Sequence, residues 1–365
     1  MNRLKTIERI RIRASEEEIR RFFARLEQET ENLPGFHILF GRHILLLRFP
    51  DEETMQKYRV TFDLICIEHK GEPDGTITVW SGKVEDYVNI SGCPEGASCW
   101  EYTGEAGLIR FVKWPDRILA CHIPGNRQYI IMNGPLEDYV PYWAPFHWEF
   151  HHFAMSHRYA FVHSGAVGLN GEGVLISSMG GCGKSTTVLS CLLDGFDYVS
   201  DDYLILEPET ASAYPLYSCG ILNEDSLDRL PELKPLVSGD VFNRPNRYIV
   251  DLSGYRNQFC RRMKIKAIVH PRVLPAGESE RTALIRKDPR QTAKTQLLIS
   301  SARQNGFCMM KDQDSLHSLF GAVSSLPSYE LLLSLKRQSN CRVLRELLCT
   351  LSDRKQEKEK SGCTL

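Results

Sequence analysis

A glycine-rich segment that ends in lysine and serine is the part of this sequence best suited to chemistry. It contains Ser178-Met179-Gly180-Gly181-Cys182-Gly183-Lys184-Ser185-Thr186. Glycines let backbone N–H groups approach phosphate oxygens without a Cβ clash. A following lysine can neutralise the β- and γ-phosphates, and the next hydroxyl can ligate Mg²⁺. We therefore expect a phosphate-binding loop (P-loop) with Lys184 as the cation and Ser185 as a metal ligand. Its nucleotide contacts come from Gly180, Gly181, Cys182, Gly183, Lys184, Ser185 and Thr186.

The elements around this loop are those that a P-loop requires. Gly173–Ser177 is a short apolar run that predicts a strand, and Thr186–Leu193 predicts a helix ended by Gly195. The loop then lies at a helix N-terminus, whose partial positive charge favours phosphate. Ser178 stands where the usual motif begins with glycine. A glycine-rich turn without a nucleotide is the alternative.

Two adjacent carboxylates follow the next predicted strand. Phe196–Val199 predicts the strand, and Asp201 and Asp202 come just after it. Beside a P-loop, one carboxylate can hold Mg²⁺ and the other can accept a proton from an attacking hydroxyl. A strand-end turn with solvated carboxylates is the alternative. His163, on the predicted strand Tyr159–Val167, reaches the phosphate side if that strand lies beside the P-loop strand.

Length and composition limit the number of domains and the classes of partner that this chain can have. Its 365 residues fit about two domains, and 42% apolar and 10% aromatic residues suffice for a core. The 45 basic and 46 acidic residues leave a net charge of −1, which gives no overall sign of a nucleic-acid or membrane partner. No run of about 18 apolar residues occurs, and the first residues lack the apolar region of a secretory signal. We expect a cytoplasmic protein whose twelve cysteines are reduced.

The pattern of residues predicts two domains and a tail. Residues 1–140 begin with a capping box and helix at Ser15–Glu18, followed by a β-rich stretch that includes a predicted strand at Arg59–Ile67. Residues 145–351 hold the P-loop domain, and residues 352–365 form a charged flexible tail. The fold class is therefore α/β, or α+β over the whole chain, with a P-loop domain and a β-rich N-terminal domain.

The segment from His163 to Asp202 resembles the HPr kinase/phosphorylase family, whose P-loop domain is related to that of phosphoenolpyruvate carboxykinase. The match is an H-x-x-A strand from His163 to Ala166, the P-loop, a helix ending in Gly195-Phe196, and Ser200-Asp201-Asp202. Lys266–Pro271 and Leu326–Leu331 are similar to later family strands. The resemblance covers roughly Phe150 to Thr350 and is specific only from His163 to Asp202.

The resemblance implies an ATP- and Mg²⁺-dependent serine kinase. The family includes kinases of the carrier protein HPr, of free serine and of lasso-peptide precursors. By this resemblance Asp201 is the base, Asp202 binds the metal, and His163 sits by the reacting hydroxyl, with the reverse order of the two carboxylates as the alternative. Arg244 or Arg247 would contact the transferred phosphoryl group. The family's dephosphorylation loop, of Glu-x-Arg-Gly type, does not occur in this sequence, which argues against the reverse activity.

Three functions remain open from the sequence. The first is the serine kinase, acting on a protein, a peptide or a small molecule, with possible assembly into homo-oligomers as the HPr kinases do. The second is a nucleotide-binding regulatory module that transfers no phosphate, which Ser178 and the unmatched N-terminal domain suggest. The third is a carboxykinase acting on a small dicarboxylic acid, whose added metal-binding histidine and lysine residues we cannot place here.

Overall fold

The computed structural model shows a mixed α/β chain in two compact units, Met1–Ser156 and His157–Leu365. The α/β class expected from the sequence is confirmed. The division falls later in the chain than the boundary predicted at residues 140–145, which stays a prediction. The structure describes residues 9–11, 14–87, 98–105, 107–114, 117–123, 125–136, 140, 144–179, 181–240, 246–274, 277–278, 282–304 and 313–361.

The described part of the first unit is a nine-stranded sheet with three α-helices. The helices are α1 (Glu16–Thr30), α2 (Glu52–Arg59) and α3 (His147–Ser156). The strands are β1 (Arg9–Arg11), β2 (Gly35–Phe40), β3 (His43–Arg48), β4 (Cys66–Ile67), β5 (Gly75–Ser81), β6 (Ser98–Gly104), β7 (Gly107–Lys113), β8 (Arg117–His122) and β9 (Arg127–Met132). The strand order is β1-β6-β7-β8-β9-β5-β3-β2-β4.

Helix α1 begins where the capping box predicts. The Ser15 hydroxyl accepts a hydrogen bond from the Glu18 N–H, and the Glu18 carboxylate accepts one from the Ser15 N–H at 2.7 Å. Ile19, Phe23 and Leu26 are buried in a core cluster with side chains of the sheet. These positions recur at helical spacing, so one face of α1 is buried on the sheet.

The strand predicted at Arg59–Ile67 is wrong over most of its length. The chain up to Arg59 is helix α2, Val60–Phe62 forms a 3₁₀ turn, and only Cys66–Ile67 pairs with β2. The cause lies upstream, because the Asp51 carboxylate accepts a hydrogen bond from an N–H of the first turn and starts the helix. Tyr58, which lies on this helix, is buried. A period-two pattern over residues 60–66 therefore does not determine the local structure.

The second unit contains the glycine-rich segment that the sequence predicts to be a P-loop. Its helices, within the described residues, are α4 (Lys184–Leu193), α5 (Glu224–Arg229), α6 (Thr292–Gln304), α7 (Gln313–Ser324) and α8 (Arg337–Ser361). The strands are β10 (Ala160–His163), β11 (Gly165–Leu169), β12 (Glu172–Ile176), β13 (Asp197–Ser200), β14 (Tyr203–Glu207), β15 (Ser212–Pro215), β16 (Cys219–Asn223), β17 (Val237–Asp240), β18 (Arg247–Asp251), β19 (Met263–Val273), β20 (Leu284–Lys287) and β21 (Ser328–Leu333).

Strand β12 directly precedes the glycine-rich segment, which connects it to helix α4. Strand β19 pairs with it in parallel on one side, and β11 pairs antiparallel on the other. Beyond these neighbours lie β21, parallel to β19, and β13, antiparallel to β11. Strands β16, β18 and β17 form a separate three-stranded sheet. Helices α4 and α8 pack in one buried cluster, which includes Val188, Leu192 and Leu344.

Two predicted segments differ in extent. The strand predicted at Tyr159–Val167 is two strands, β10 and β11, separated at Ser164. Helix α8 continues to Ser361, within the segment predicted as a flexible tail, whose mobility stays a prediction. Among the described residues, none of the helices combines the length and apolar character needed to span a bilayer.

Candidate functional site

The loop between β12 and α4 has the backbone expected of a phosphate cradle. Gly181 and Gly183 have φ values of +86° and +87°, a region that favours glycine. Gly183 is also the N-cap of the ten-residue helix α4. The first N–H groups of that helix have no intrahelical partner and can bind an anion. Gly180 lies outside the described residues, so its role stays a prediction.

Ser178, the residue that replaces the usual glycine, is fully buried at the start of the loop. Among the described residues, neither its hydroxyl nor that of Ser177 has a hydrogen-bond partner. The backbone of Ser177 is fixed to β19, because its N–H donates to the Val269 carbonyl at 3.0 Å. His270 Nδ1 lies 3.0 Å from the Ser177 carbonyl. The fold therefore accommodates a serine at this position and leaves two buried hydroxyls available beside the loop.

Lys184 joins the loop to the carboxylate pair. Its side chain is 9% exposed, and its ammonium donates hydrogen bonds to Asp202 Oδ1 and to the Asp201 carbonyl, each at 2.7 Å. The sequence predicted these three residues as parts of one site, and the structure places them in contact. The lysine thus connects the N-terminus of α4 with the carboxyl end of β13.

His163 meets the same carboxylate. Its Nε2 lies 2.8 Å from Asp202 Oδ1, and its backbone N–H donates to Ser301 Oγ of α6 at 3.1 Å. Burial, followed by the charge of Lys184, lowers the pKa of His163. Burial alone would raise the pKa of Asp202, but the Lys184 charge and the contact with His163 hold it well below its usual range. Asp202 is therefore ionised at neutral pH.

Asp201 has a different environment from its neighbour. It is 2% exposed, and its two carboxylate oxygens accept hydrogen bonds from the Tyr198 hydroxyl and the Ile221 N–H, each at 3.2 Å. Burial, followed by the charge of Asp202, raises the pKa of Asp201 to about 6. The adjacent carboxylates are thus shifted in opposite directions, a pattern that can separate a proton acceptor from a permanent anion.

The other loop residues are Cys182, Ser185 and Thr186. Cys182 and Ser185 are half-buried beside Lys184. Thr186 Oγ1 lies 2.8 Å from Ser226 Oγ of α5, so this hydroxyl is held away from the loop by a protein contact. Thr186 can still offer its backbone N–H. The ionised Asp202 and the Ser185 hydroxyl are hard oxygen donors, which is the donor set that Mg²⁺ prefers.

Sequence reasoning missed the groups that surround Asp201. Tyr198 lies on β13, the strand that Asp201 follows, and a tyrosine three residues before an acidic pair gave no distinct signal. Ile221 contributes a backbone N–H, which no sequence pattern reveals. Arg244 lies outside the described residues. Arg247, at the start of β18, is exposed, and its charge lies close enough to contribute to the lowered pKa of His163.

Comparisons with known proteins add a distant structural similarity. No protein-family profile matches the chain, and no curated protein matches it. The solved structure of the Hpr(Ser) kinase/phosphatase from Coxiella burnetii is similar at 14% sequence identity and a TM-score of 0.27. That match covers 55% of this chain and 95% of the other. Because the similarity is this low, it carries no functional argument, and a function has to be inferred from the geometry of the site.

Proposed function

We propose that the second unit is an ATP- and Mg²⁺-dependent serine kinase. It transfers the γ-phosphate of ATP to a serine hydroxyl of a protein, a peptide or a small molecule. The observation that supports this function is the contact of Lys184 with Asp202. Lys184 directly follows a loop that contains two glycines with positive φ. A phosphate cradle and an acid pair of unequal pKa then share one site.

The loop and Lys184 bind and orient the donor in this proposal. Backbone N–H groups of Gly181 to Ser185 contact the phosphate oxygens, and the Lys184 ammonium neutralises their charge. Phosphate oxygens compete with Asp202 for that ammonium. Since phosphoryl transfer needs little covalent chemistry from the protein, most of the rate enhancement comes from positioning and charge neutralisation.

Asp201 accepts the proton of the serine hydroxyl, and Asp202 with Ser185 holds the metal. A carboxylate with a pKa of about 6 is ionised at pH 7.5 and still a useful proton acceptor. His163 fixes the orientation of Asp202 through its Nε2 contact. Mg²⁺ bound there would neutralise charge on the β- and γ-phosphates.

The burial of Asp201 favours a second candidate, a nucleotide-binding regulatory module without transfer. A base must come within hydrogen-bond reach of its substrate, and Asp201 is 2% exposed with both oxygens bonded inside the protein. The two candidates agree on ATP binding. They differ in whether a phosphorylated product forms.

Thermal unfolding with Mg·ATP tests the shared step. A ligand at a hundred times its dissociation constant adds about 2.7 kcal/mol to the free energy of unfolding. We expect the midpoint to rise by several degrees for the native chain and not for Lys184→Ala. Absence of a shift for the native chain at millimolar Mg·ATP would contradict both candidates.

Incubation with radiolabelled ATP and serine-bearing peptides separates the two candidates. The kinase predicts phosphoserine with the native chain, while Asp201→Asn binds ATP normally and forms none. Equal transfer by Asp201→Asn would remove this residue as the base. Asp202→Asn is the companion variant: if the roles of the carboxylates are reversed, it abolishes transfer but leaves the Mg²⁺-dependent binding of ATP unchanged.

A further inference from the structure

The order of the strands gives the site two different sides, one on each side of strand β12. The acidic pair follows β13, which lies beyond β11 on one side of the P-loop strand β12. Lys184 reaches toward this side, where it contacts Asp202. In the proposed function the transferred phosphate therefore faces the β11 and β13 side. The opposite end of the donor must leave the loop over the other neighbour of β12, which is β19.

Strand β19 continues past the beginning of the P-loop on that side. Ile176, the last residue of β12, pairs with Val269, and β19 extends to Val273. Strand β21 accompanies it, so that Val273 pairs with Leu333. The ends of these two strands thus form a wall beside the loop that holds the phosphates.

The wall is apolar and touches the loop. A Cβ on Gly183 would lie 2.8 Å from Leu333 Cδ1 and 3.9 Å from Val273 Cγ2. Val269 and Leu331 belong to the core cluster that contains α4, and alternate residues of a strand share a face. Val273 and Leu333 therefore face the same side of the sheet as α4. Val273 is 52% exposed even though it adjoins a polar loop.

We propose that Val273 and Leu333 form the subsite for the base of a nucleoside triphosphate. This inference rests on the proposed function. It favours a nucleoside triphosphate over inorganic pyrophosphate or polyphosphate as the phosphate donor, because those two have no group to place against an aliphatic wall. A flat heteroaromatic ring that covers Val273 removes apolar surface from water, which stabilises the complex. Phosphates in the cradle and the base on the wall then fix the donor at both ends.

The test compares two ligands that share their phosphates. Dissociation constants for Mg·ATP and Mg·tripolyphosphate are measured by calorimetry with the full chain and with Val273→Asn, a neutral change that alters no charge near the phosphates. We expect Val273→Asn to weaken ATP about fivefold, or about 1 kcal/mol. Tripolyphosphate should change less than twofold, and the native chain should bind ATP more tightly than tripolyphosphate.

Leu284→Asn is the matched control. Leu284 is 53% exposed on the adjacent strand β20 and pairs with Leu332, so it lies on the opposite face of the same sheet. This variant should leave both dissociation constants unchanged. If Val273→Asn weakens both ligands equally, or neither of them, the base subsite is refuted while the phosphate loop stands. If the native chain binds neither ligand, the proposed function itself fails, and the subsite fails with it.

Discussion

Replacement of Asp201 by asparagine should stabilise the second unit at pH 7.5, although it removes a carboxylate from the candidate site. Burial, followed by the charge of Asp202, raises the pKa of Asp201 from 3.8 to about 6. Since one pKa unit is worth 1.36 kcal/mol, keeping this carboxylate ionised in the fold costs about 3 kcal/mol. Asparagine has nearly the same shape and no charge. Its Oδ1 can accept from the Ile221 N–H, and its amide can donate to the Tyr198 hydroxyl.

The stabilisation depends on pH in a defined direction. Because the pKa of Asp201 is raised in the folded state, the folded chain binds the proton more tightly than the unfolded chain. This group therefore makes the folded state less stable as the pH rises from about 4 to about 6. The advantage of Asp201→Asn should be full above pH 6, about half as large at pH 5, and absent below about pH 4.

Thermal unfolding of the full chain at pH 7.5 and pH 5.0 measures this effect. For a unit of this size, about 3 kcal/mol corresponds to an increase in Tm of roughly 6–12 °C. The matched control is Asp202→Asn, which leaves the buried ammonium of Lys184 without its carboxylate and should destabilise by about 3 kcal/mol. A lower Tm for Asp201→Asn at pH 7.5 would show that the two hydrogen bonds to the carboxylate outweigh the penalty of burying its charge.

Three further outcomes follow from described contacts. Below about pH 6 the kcat/KM of transfer should fall about tenfold per pH unit as Asp201 gains a proton, and a flat profile from pH 5 to 8 would exclude it as the base. Gly183→Ala should weaken ATP binding in calorimetry, because its φ is +87° and a Cβ would displace the end of the Leu333 side chain beside the loop, whereas Gly171→Ala, at φ +77° with open space, should only lower the Tm. Leu344→Ala, fully buried in α8, should cost about 2–5 kcal/mol in thermal unfolding, and Leu335→Ala, at 63% exposed, should cost little.

The local parts of the site were predictable because their signals are local. The glycine-rich segment lies between a strand and a helix, as the run from Gly173 to Leu193 predicts. The capping box at Ser15 likewise depends on residues three apart. The contact of His163 with Asp202 was harder to foresee, because it depends on pairing between β10 and β14. The family resemblance implied only that His163 sits by the reacting hydroxyl, and it did not specify the contact with Asp202.

Other features were not predicted from the sequence. Helix α2, capped by Asp51, ends at the first residue of the predicted strand, and the 3₁₀ turn at Val60–Phe62 shows that a short alternating pattern does not determine a strand. Strand β6 was not predicted, since its pairing with β7 and β1 gives it its structure. Burial raises the pKa of both Asp201 and Asp202, and the Lys184 charge with the His163 contact lowers that of Asp202, so identical residue types in adjacent positions cannot reveal the difference.

In the proposed function, the pairing of Lys184 with Asp202 makes the binding of the phosphate donor and the binding of the metal dependent on each other. In the structure one carboxylate oxygen serves as the counter-ion of the lysine, so it cannot fully serve a metal at the same time. Phosphates that bind Lys184 release Asp202, and a metal that binds Asp202 releases Lys184. Each ligand thus removes the obstacle to the other, which is positive thermodynamic coupling, and the coupling has the same size in both directions. Protein that holds neither ligand retains the internal ion pair, which opposes the binding of either ligand alone.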